Sequence, residues 1–432
     1  MKTIESIYTV FKNSRKICID SRRVLRESIY FAIKGENFDG NQFAEEALRK
    51  GCSLAVVDDK SLAEKNENIV YVPDTILALQ ELAKMHRLSI NKPVFAITGT
   101  NGKTTTKELI ATVLNQKFRV RYTIGNKNNH IGLPLTILSM NNTTDMAIVE
   151  MGANRQGEIK LLCEIALPDY GLITNIGKAH LEGFGSFKGV VNTKAELYKY
   201  LTDSDGVIFV NKDNKILTDL LKENKKLVTY GKSKSVYCKG EYIKSSYYAG
   251  AKWSSLDKSG YVISKLIGGY NFENILAAIT VGLYFGISSS SINSAISSYV
   301  PKNYRSQLAN SSRNKIILDL YNANPTNMQA ALNSFIRIKA GEKNLILGDM
   351  LELGKYSDTE HKKILDIIAK NDFEKVYLVG NNYIKFKDLY DFDFFENVFE
   401  LADYLIKHPV AGKLFLVKGS RGIKLEKCID YL

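Results

Sequence analysis

The chain has 432 residues, 45% hydrophobic and 24% charged, which is ordinary globular usage and excludes a disordered or collagen-like chain. At roughly 100–200 residues per domain, this length predicts about three domains. The 59 Lys+Arg against 46 Asp+Glu leave a net charge of +13. Such an excess accompanies nucleic acid, anionic membranes or polyanionic small substrates, or simply reflects a lysine-rich composition.

Residues 1–16 carry no long apolar core after the first lysine, so no signal peptide is expected. No run approaches 18 apolar residues, which predicts no membrane insertion. The cysteines, Cys18, Cys52, Cys163, Cys238 and Cys428, are odd in number and form no C-x-x-C. They read as small buried hydrophobes in a reducing, cytoplasmic setting. Over 1–90, short apolar runs at 28–33 and 53–57 alternate with helical patterns at 41–50 and 74–89, and Pro93 marks a boundary. A buried strand follows at 94–98. Further apolar runs at 146–149, 170–176 and 206–210, with helical segments between them, predict a parallel sheet. The stretch 232–264 is rich in Ser, Tyr and Lys and strand-like, with no role assigned. After a break near Pro301, alternation resumes: strand 315–320, helix 327–339, strand 344–347, helix 359–370, and strands 375–379 and 413–417. The expected fold class is α/β with three domains. These are a small N-terminal α/β domain over 1–90, a central P-loop-type parallel sheet over 91–303, and a C-terminal Rossmann-like domain over 304–432.

The sharpest local signal is Ile97-Thr98-Gly99-Thr100-Asn101-Gly102-Lys103-Thr104-Thr105-Thr106. A strand runs into a glycine-bearing turn and then a helix start. Such a turn aims backbone N–H groups and the positive end of the helix at phosphate. Lys103 is placed to neutralise the β- and γ-phosphates of ATP and the Thr104 hydroxyl to ligate Mg²⁺. Ile97 stands where the strict phosphate-loop pattern has its first glycine. Glu150 ends the run 146–149, at the ligand edge of a parallel sheet, where a carboxylate can hold Mg²⁺. On residue type alone, His180 reads as a packed or surface histidine, Lys194 as a surface lysine of a helix, and Asn271 as a helix N-cap.

The phosphate loop with three threonines after its lysine, Glu150 followed by Met151-Gly152-Ala153-Asn154, and His180-Leu181-Glu182-Gly183-Phe184 resemble the Mur ligase family of cell-wall peptide ligases. The resemblance implies a nucleotide site of Gly99, Thr100, Asn101, Gly102, Lys103, Thr104 and Thr105, with Asn271 and Asn274 near the adenine. Arg305 and Asp319 would reach the phosphates and ribose when the third domain closes. It implies two Mg²⁺ held by Thr104, Glu150, His180 and Lys194, the last as a CO₂-derived carbamate, which requires a neutral amine. Lys103, Lys194 and His180 are then the catalytic set. Ser21, Arg22, Asp39 and Gly40 match the segment that binds the UDP end of the substrate. Asn128 and Asn129, within 125–134, match the stretch that approaches the sugar-peptide.

Within the family, Tyr321-Asn322-Ala323-Asn324-Pro325 resembles the member that joins D-alanyl-D-alanine to UDP-N-acetylmuramoyl-tripeptide, so Tyr321, Asn322 and Asn324 are expected at the substrate. The stretches 347–354 and 417–421, and His361, resemble the same member. The departures are His130, Asn41 where many relatives have histidine, and Leu318 or Leu320 where a small polar or acidic residue is common. Sister enzymes, such as folylpolyglutamate synthase or the tripeptide-forming ligase, share the phosphate loop but not the Tyr-Asn-Ala-Asn-Pro stretch. A nucleic-acid-binding ATPase is the alternative the charge suggests, yet no helix-turn-helix, RNA-binding or zinc motif accompanies it. The expected protein is a monomer acting on small substrates, without nucleic acid.

Overall fold

The computed structural model describes residues 2–221, 226–302 and 304–432. Near the N-terminus, four parallel strands lie in the order Ile17–Cys18, Ile29–Phe31, Leu54–Val57 and Ile69–Tyr71. A nine-stranded sheet follows. Its parallel part runs Leu227–Gly231, Val207–Asn211, Tyr170–Ile173, Val94–Thr98, Met146–Glu150 and Val120–Tyr122. The third sheet has six strands, ordered Gln307–Asn310, Lys315–Asp319, Leu414–Lys418, Lys343–Gly348, Lys375–Val379 and Asp393–Phe395, of which only the first is antiparallel to its neighbour. Strands such as Val94–Thr98 and Leu414–Lys418 are buried at every residue. That follows from helices covering both faces of a parallel sheet, and it is why they read as unbroken apolar runs.

The stretch 232–264, unassigned from sequence, forms most of an antiparallel meander. Strands Cys238–Ser245, Tyr248–Ser255 and Lys258–Ile267 extend one edge of the central sheet. The strand expected over 170–176 stops at Ile173, because the next residues leave the sheet to brace the phosphate loop. The helix expected over 41–50 starts as a 3-10 turn, Gly40–Phe43, before Ala44–Arg49.

Helix Thr75–Ile90 ties the first sheet to the second. Its N-cap Asp74 accepts from Leu77 N, and Asn91, at φ +43°, ends it before Pro93. Leu79, Leu82 and Ala83 share one core with Phe31 and Val56 on one side and Leu133, Ile137 and Leu138 on the other. Arg87 pairs with Asp169 at 2.8 Å. The apolar Leu318 and Leu320, unusual for the resembled pattern, are 3% and 4% exposed and pack into the core of the third sheet. All five cysteines are buried and unbridged. Among the described residues, no helix is long and apolar enough to cross a membrane.

Candidate active site

Strand Val94–Thr98 sits between Tyr170–Ile173 and Met146–Glu150; it connects onward to Val120–Tyr122 on one side of the sheet, whereas its neighbour Tyr170–Ile173 connects onward to Val207–Asn211 on the other. That is where a parallel sheet opens a ligand crevice. Loop 99–102 fills the opening and helix Lys103–Leu114 follows. Two positions require glycine. Gly99 has φ +141° and a Cβ there would lie 2.0 Å from Thr174 Oγ1; Gly102 has φ +78° and its Cβ would lie 2.6 Å from Asn274 Oδ1. The residues after Ile173 mould the loop. Thr100 N donates to Asn175 O at 2.9 Å, Asn101 N to Asn175 Oδ1 at 3.0 Å, and Thr174 Oγ1 to Asn101 O at 2.6 Å. The Lys103 amine donates to Gly99 O at 2.8 Å and Thr100 O at 3.1 Å. Burial pulls its pKa below the ordinary lysine value, opposed by the Glu150 charge.

Thr104 and Thr105 occupy the first helical turn, 5% and 8% exposed. Thr106 Oγ1 donates to Asn274 Oδ1, Asn274 Nδ2 to Asn271 Oδ1, and Asn271 Nδ2 to Ile267 O, at 3.0, 2.9 and 2.8 Å. Asn271 therefore does not cap its helix. It is the first residue of Asn271–Tyr284, and its amide is turned back toward the preceding strand.

Glu150, 2% exposed, ends its strand beside the loop. Its Oε1 accepts from Asn128 Nδ2 at 2.9 Å, while Oε2 is buried without a hydrogen-bond donor and lies 3.8 Å from the Lys107 amine. A buried carboxylate oxygen left like this costs about 1–3 kcal/mol or more, which a bound cation removes. Asn129 spends its carbonyl on the turn, accepting from Ile131 N and Gly132 N at 3.2 and 2.9 Å.

Lys194 is not the surface lysine that its helix suggested. In Phe187–Asp203, Val190, Lys194, Leu197 and Leu201 recur at helical spacing on the buried face, and Lys194 is 3% exposed. Burial, with the nearby Lys103 charge, pulls its amine down to about 7, and no carboxylate pairs with it among the described residues. Its nitrogen lies 5.6 Å from the Phe184 ring centre. His180 is no packed histidine either. It takes φ +49° and its Nδ1 pairs with Glu352 of the third sheet's loops, whose carboxyl this contact holds below the usual range.

Third-sheet residues close the crevice. Asn324 Nδ2 and Asn327 Nδ2 both donate to Asn101 Oδ1, at 2.8 and 3.1 Å. Lys178 N donates to Thr326 Oγ1 at 3.0 Å, and the Lys178 amine reaches Glu360 at 2.9 Å. Arg305, Asp319, Tyr321 and Asn322 thus line the same cavity as Lys103, Asn128, Glu150, His180, Asn271 and Asn274, with a volume of about 1020 Å³. Asn324, expected at the substrate, has both ends of its amide engaged. Oδ1 accepts from Asn327 N at 2.9 Å as a helix cap, and Nδ2 holds the phosphate loop. Serine keeps a cap but is too short to reach Asn101. Asn324→Ser should therefore leave thermal stability nearly unchanged while raising KM for ATP about 3- to 10-fold, the worth of one interdomain hydrogen bond, read from initial rates.

Ser21, Arg22, Asp39 and Gly40 line no part of this cavity. They cluster on the first sheet, where Asp20 and Asp39 cap 3-10 turns, Arg22 pairs with Asp20 at 2.8 Å, and Tyr30 OH donates to Gly40 O at 3.0 Å. Asn41 donates to Asp39 at 2.8 Å and to Asp58 at 2.6 Å, holding that turn. Sequence reasoning missed Asn175, Asn327, Lys107 and Glu352. Only Asn327, a capping-box partner three residues after Asn324, carried a local signal.

Three family models match: the Mur ligase family catalytic domain over residues 14–87, the Mur ligase middle domain over 97–282, and the Mur ligase glutamate ligase domain over 304–421. A UDP-N-acetylmuramoyl-tripeptide–D-alanyl-D-alanine ligase of Bacillus subtilis is 35% identical, the match spanning 96% of this chain and 92% of that one. One of Haemophilus influenzae is 32% identical over 96% and 92%. Among solved structures, MurF from Acinetobacter baumannii aligns with a TM-score of 0.87 at 29% identity, covering 96% of this chain and 92% of that one. MurF ligase from Thermotoga maritima, in complex with ADP, aligns at 0.86 and 26%, covering 96% of each. The chain belongs to the Mur ligase family.

Proposed function

We propose that this chain is an ATP-dependent amide ligase that adds D-alanyl-D-alanine to UDP-N-acetylmuramoyl-tripeptide, a step of peptidoglycan precursor synthesis. The observation that carries this reading is the junction at Asn101. There the phosphate loop meets the Tyr-Asn-Ala-Asn-Pro turn in one cavity, and relatives with that named activity match over nearly the whole chain. Domain boundaries near residues 90 and 303 accord with the spans of the matched models. Five buried, unbridged cysteines support a reducing, cytoplasmic setting.

The terminal carboxylate of the tripeptide attacks the γ-phosphate, giving an acyl phosphate and ADP. The amine of D-alanyl-D-alanine then attacks the carbonyl carbon, and phosphate leaves carrying one former carboxylate oxygen. Lys103 and the N–H groups of loop 99–102 spread the charge of the transferring group and hold it in line. Arg305 brings a further cation from the third domain, and Asp319 faces the ribose. Mg²⁺ fits the donors present: Glu150 Oε2, which accepts no hydrogen bond and faces only the Lys107 amine at 3.8 Å, the Thr104 hydroxyl, and Lys194, whose depressed pKa suits a carbamate. Among the described residues no three His, Cys, Asp or Glu converge on a metal, so a carbamate at Lys194 would supply the anionic oxygens that a second Mg²⁺ needs; Lys194 and His180 both lie against the Phe184 ring, 5.6 and 6.3 Å from its centre. When bound, Mg²⁺ supplies Lewis-acid neutralisation of the phosphates. Ser21, Arg22, Asp39 and Gly40 take the uridine diphosphate end, while Asn128, Asn129, Tyr321 and Asn322 border the peptide.

Release of ADP tests this. It should require the muramyl tripeptide and D-alanyl-D-alanine together and be indifferent to DNA and RNA. ADP release stimulated by nucleic acid, by lysine or diaminopimelate in place of the dipeptide, or by a folate with glutamate in place of both substrates, would contradict it.

A further inference from the structure

Lys107 has no part in the mechanism above, yet it is a lysine buried to 0% exposure. It stands one turn after Lys103 on the same face of helix Lys103–Leu114. Its amine donates to Thr123 O at 2.7 Å and lies 3.7 Å from Glu108, 3.8 Å from Glu150 and 5.7 Å from the Tyr122 ring centre. Two of these neighbours are themselves held. Thr123 is fully buried; its Oγ1 accepts from Glu150 N at 3.0 Å, and its N donates to Ile148 O at 3.0 Å. Glu108 accepts from Tyr299 OH at 2.5 Å. A lysine enclosed in this way is a fixed charge. Lys103 differs: it lines the cavity, and its amine bonds only to two carbonyls of its own loop. Glu150 also lines the cavity, whereas Lys107 does not. The carboxylate therefore has the cavity on one side and a buried cation behind it.

We propose that Lys107 is a built-in counter-cation for Glu150, which keeps divalent cations off that carboxylate until a nucleotide is bound. This rests on the ligase reading above. In the empty site Lys107 balances a buried carboxylate that would otherwise be an uncompensated charge. Glu150 therefore offers a divalent cation a carboxylate that is already balanced, with a positive charge fixed behind it that repels the newcomer. The amine cannot swing away, because Thr123, Glu108 and Tyr122 enclose it. Burial also keeps salt from screening the repulsion. Nucleotide phosphates held by loop 99–102 bring the negative charge that reverses this balance, so the site takes metal and nucleotide together. Lys107 touches neither substrate nor metal in this role; it is a positioning residue that acts through Glu150.

The test measures Mn²⁺ binding to the full chain by electron paramagnetic resonance, without nucleotide, in the wild type, Lys107→Met and Lys107→Gln. Methionine fills a similar volume without charge; glutamine is neutral and keeps an N–H donor. Both variants should bind Mn²⁺ at least about 30-fold more tightly than the wild type, the effect of removing a fixed unit charge at low dielectric. Mn²⁺ should also raise their melting temperatures more than it raises that of the wild type. Adding Glu150→Gln to either variant should abolish the gain. A merely structural role for Lys107 predicts unchanged or weaker binding, and that result overturns the proposal, as does a gain that survives Glu150→Gln. If neither variant folds, the wild type decides: it should bind Mn²⁺ at least about 30-fold more weakly without ADP than with it, and equal affinities overturn the proposal. No reading here involves the tripeptide or the dipeptide. Failure of the ligase reading, seen as no ADP release with both substrates present, is therefore a separate result.

Discussion

Lys103→Ala should lower kcat by at least about 100-fold, because a preorganised cationic donor at a transferring phosphoryl group is worth about 3–4 kcal/mol. The loss should appear in single-turnover ADP formation, with thermal stability little changed. Stability survives because the Lys103 amine bonds only to carbonyls of its own loop, and the loop's shape rests on Asn175, Thr174 and Gly177. The amine is drawn back within its own turn, so reaching phosphate exchanges two carbonyl contacts for charged oxygens rather than exposing a new buried charge. Near-wild-type turnover in Lys103→Ala would remove the phosphate loop from the chemistry.

Lys194→Ala should be nearly inactive, and short carboxylic acids such as formate or acetate should restore part of the activity by replacing the carbamate oxygens. Loss without rescue would argue against a carbamate. The same residue predicts a pH signature. In the folded protein the amine titrates at about 7 against an ordinary value of 10.5. Between those values the unfolded chain binds the proton and the folded chain does not, so stability rises with pH across that window. Below about pH 7 both states are protonated and the full penalty of burying the cation is present. Lys194→Met should therefore gain most over the wild type below pH 7, with the gain fading toward pH 10.5. Denaturation midpoints in CO₂-free buffer check this, and a pH-independent difference would contradict it.

The difference between what sequence revealed and what it hid is physical. Parallel strands buried on both faces, such as Val94–Thr98, announce themselves as apolar runs, and glycines forced by positive φ at Gly99 and Gly102 mark the loop. Lys194 was misjudged on residue type because lysine usually faces water, although its register with Val190, Leu197 and Leu201 already placed it on the buried face. Asn175 and Glu352 were invisible because their partners, Asn101 and His180, lie 74 and 172 positions away and no local pattern couples them. Asn324 was assigned to substrate from the turn in which it stands; that its amide spans two domains appears only once the third sheet is folded against the phosphate loop. His361 is similar. Its Nε2 accepts from Met350 N at 3.0 Å and its Nδ1 faces Ser357 O at 2.8 Å, so it fixes the loop that carries Glu352 rather than meeting ligand.

The most direct measurement labels the terminal carboxylate of the tripeptide with ¹⁸O and follows it through one turnover with ATP and D-alanyl-D-alanine. Attack on the γ-phosphate followed by amide formation transfers one labelled oxygen to the released phosphate and leaves the other in the new amide. Mass spectrometry should find one ¹⁸O per phosphate, in step with ADP. Unlabelled phosphate, with both labelled oxygens still on the peptide, would contradict the acyl-phosphate ligase that this site is read to be.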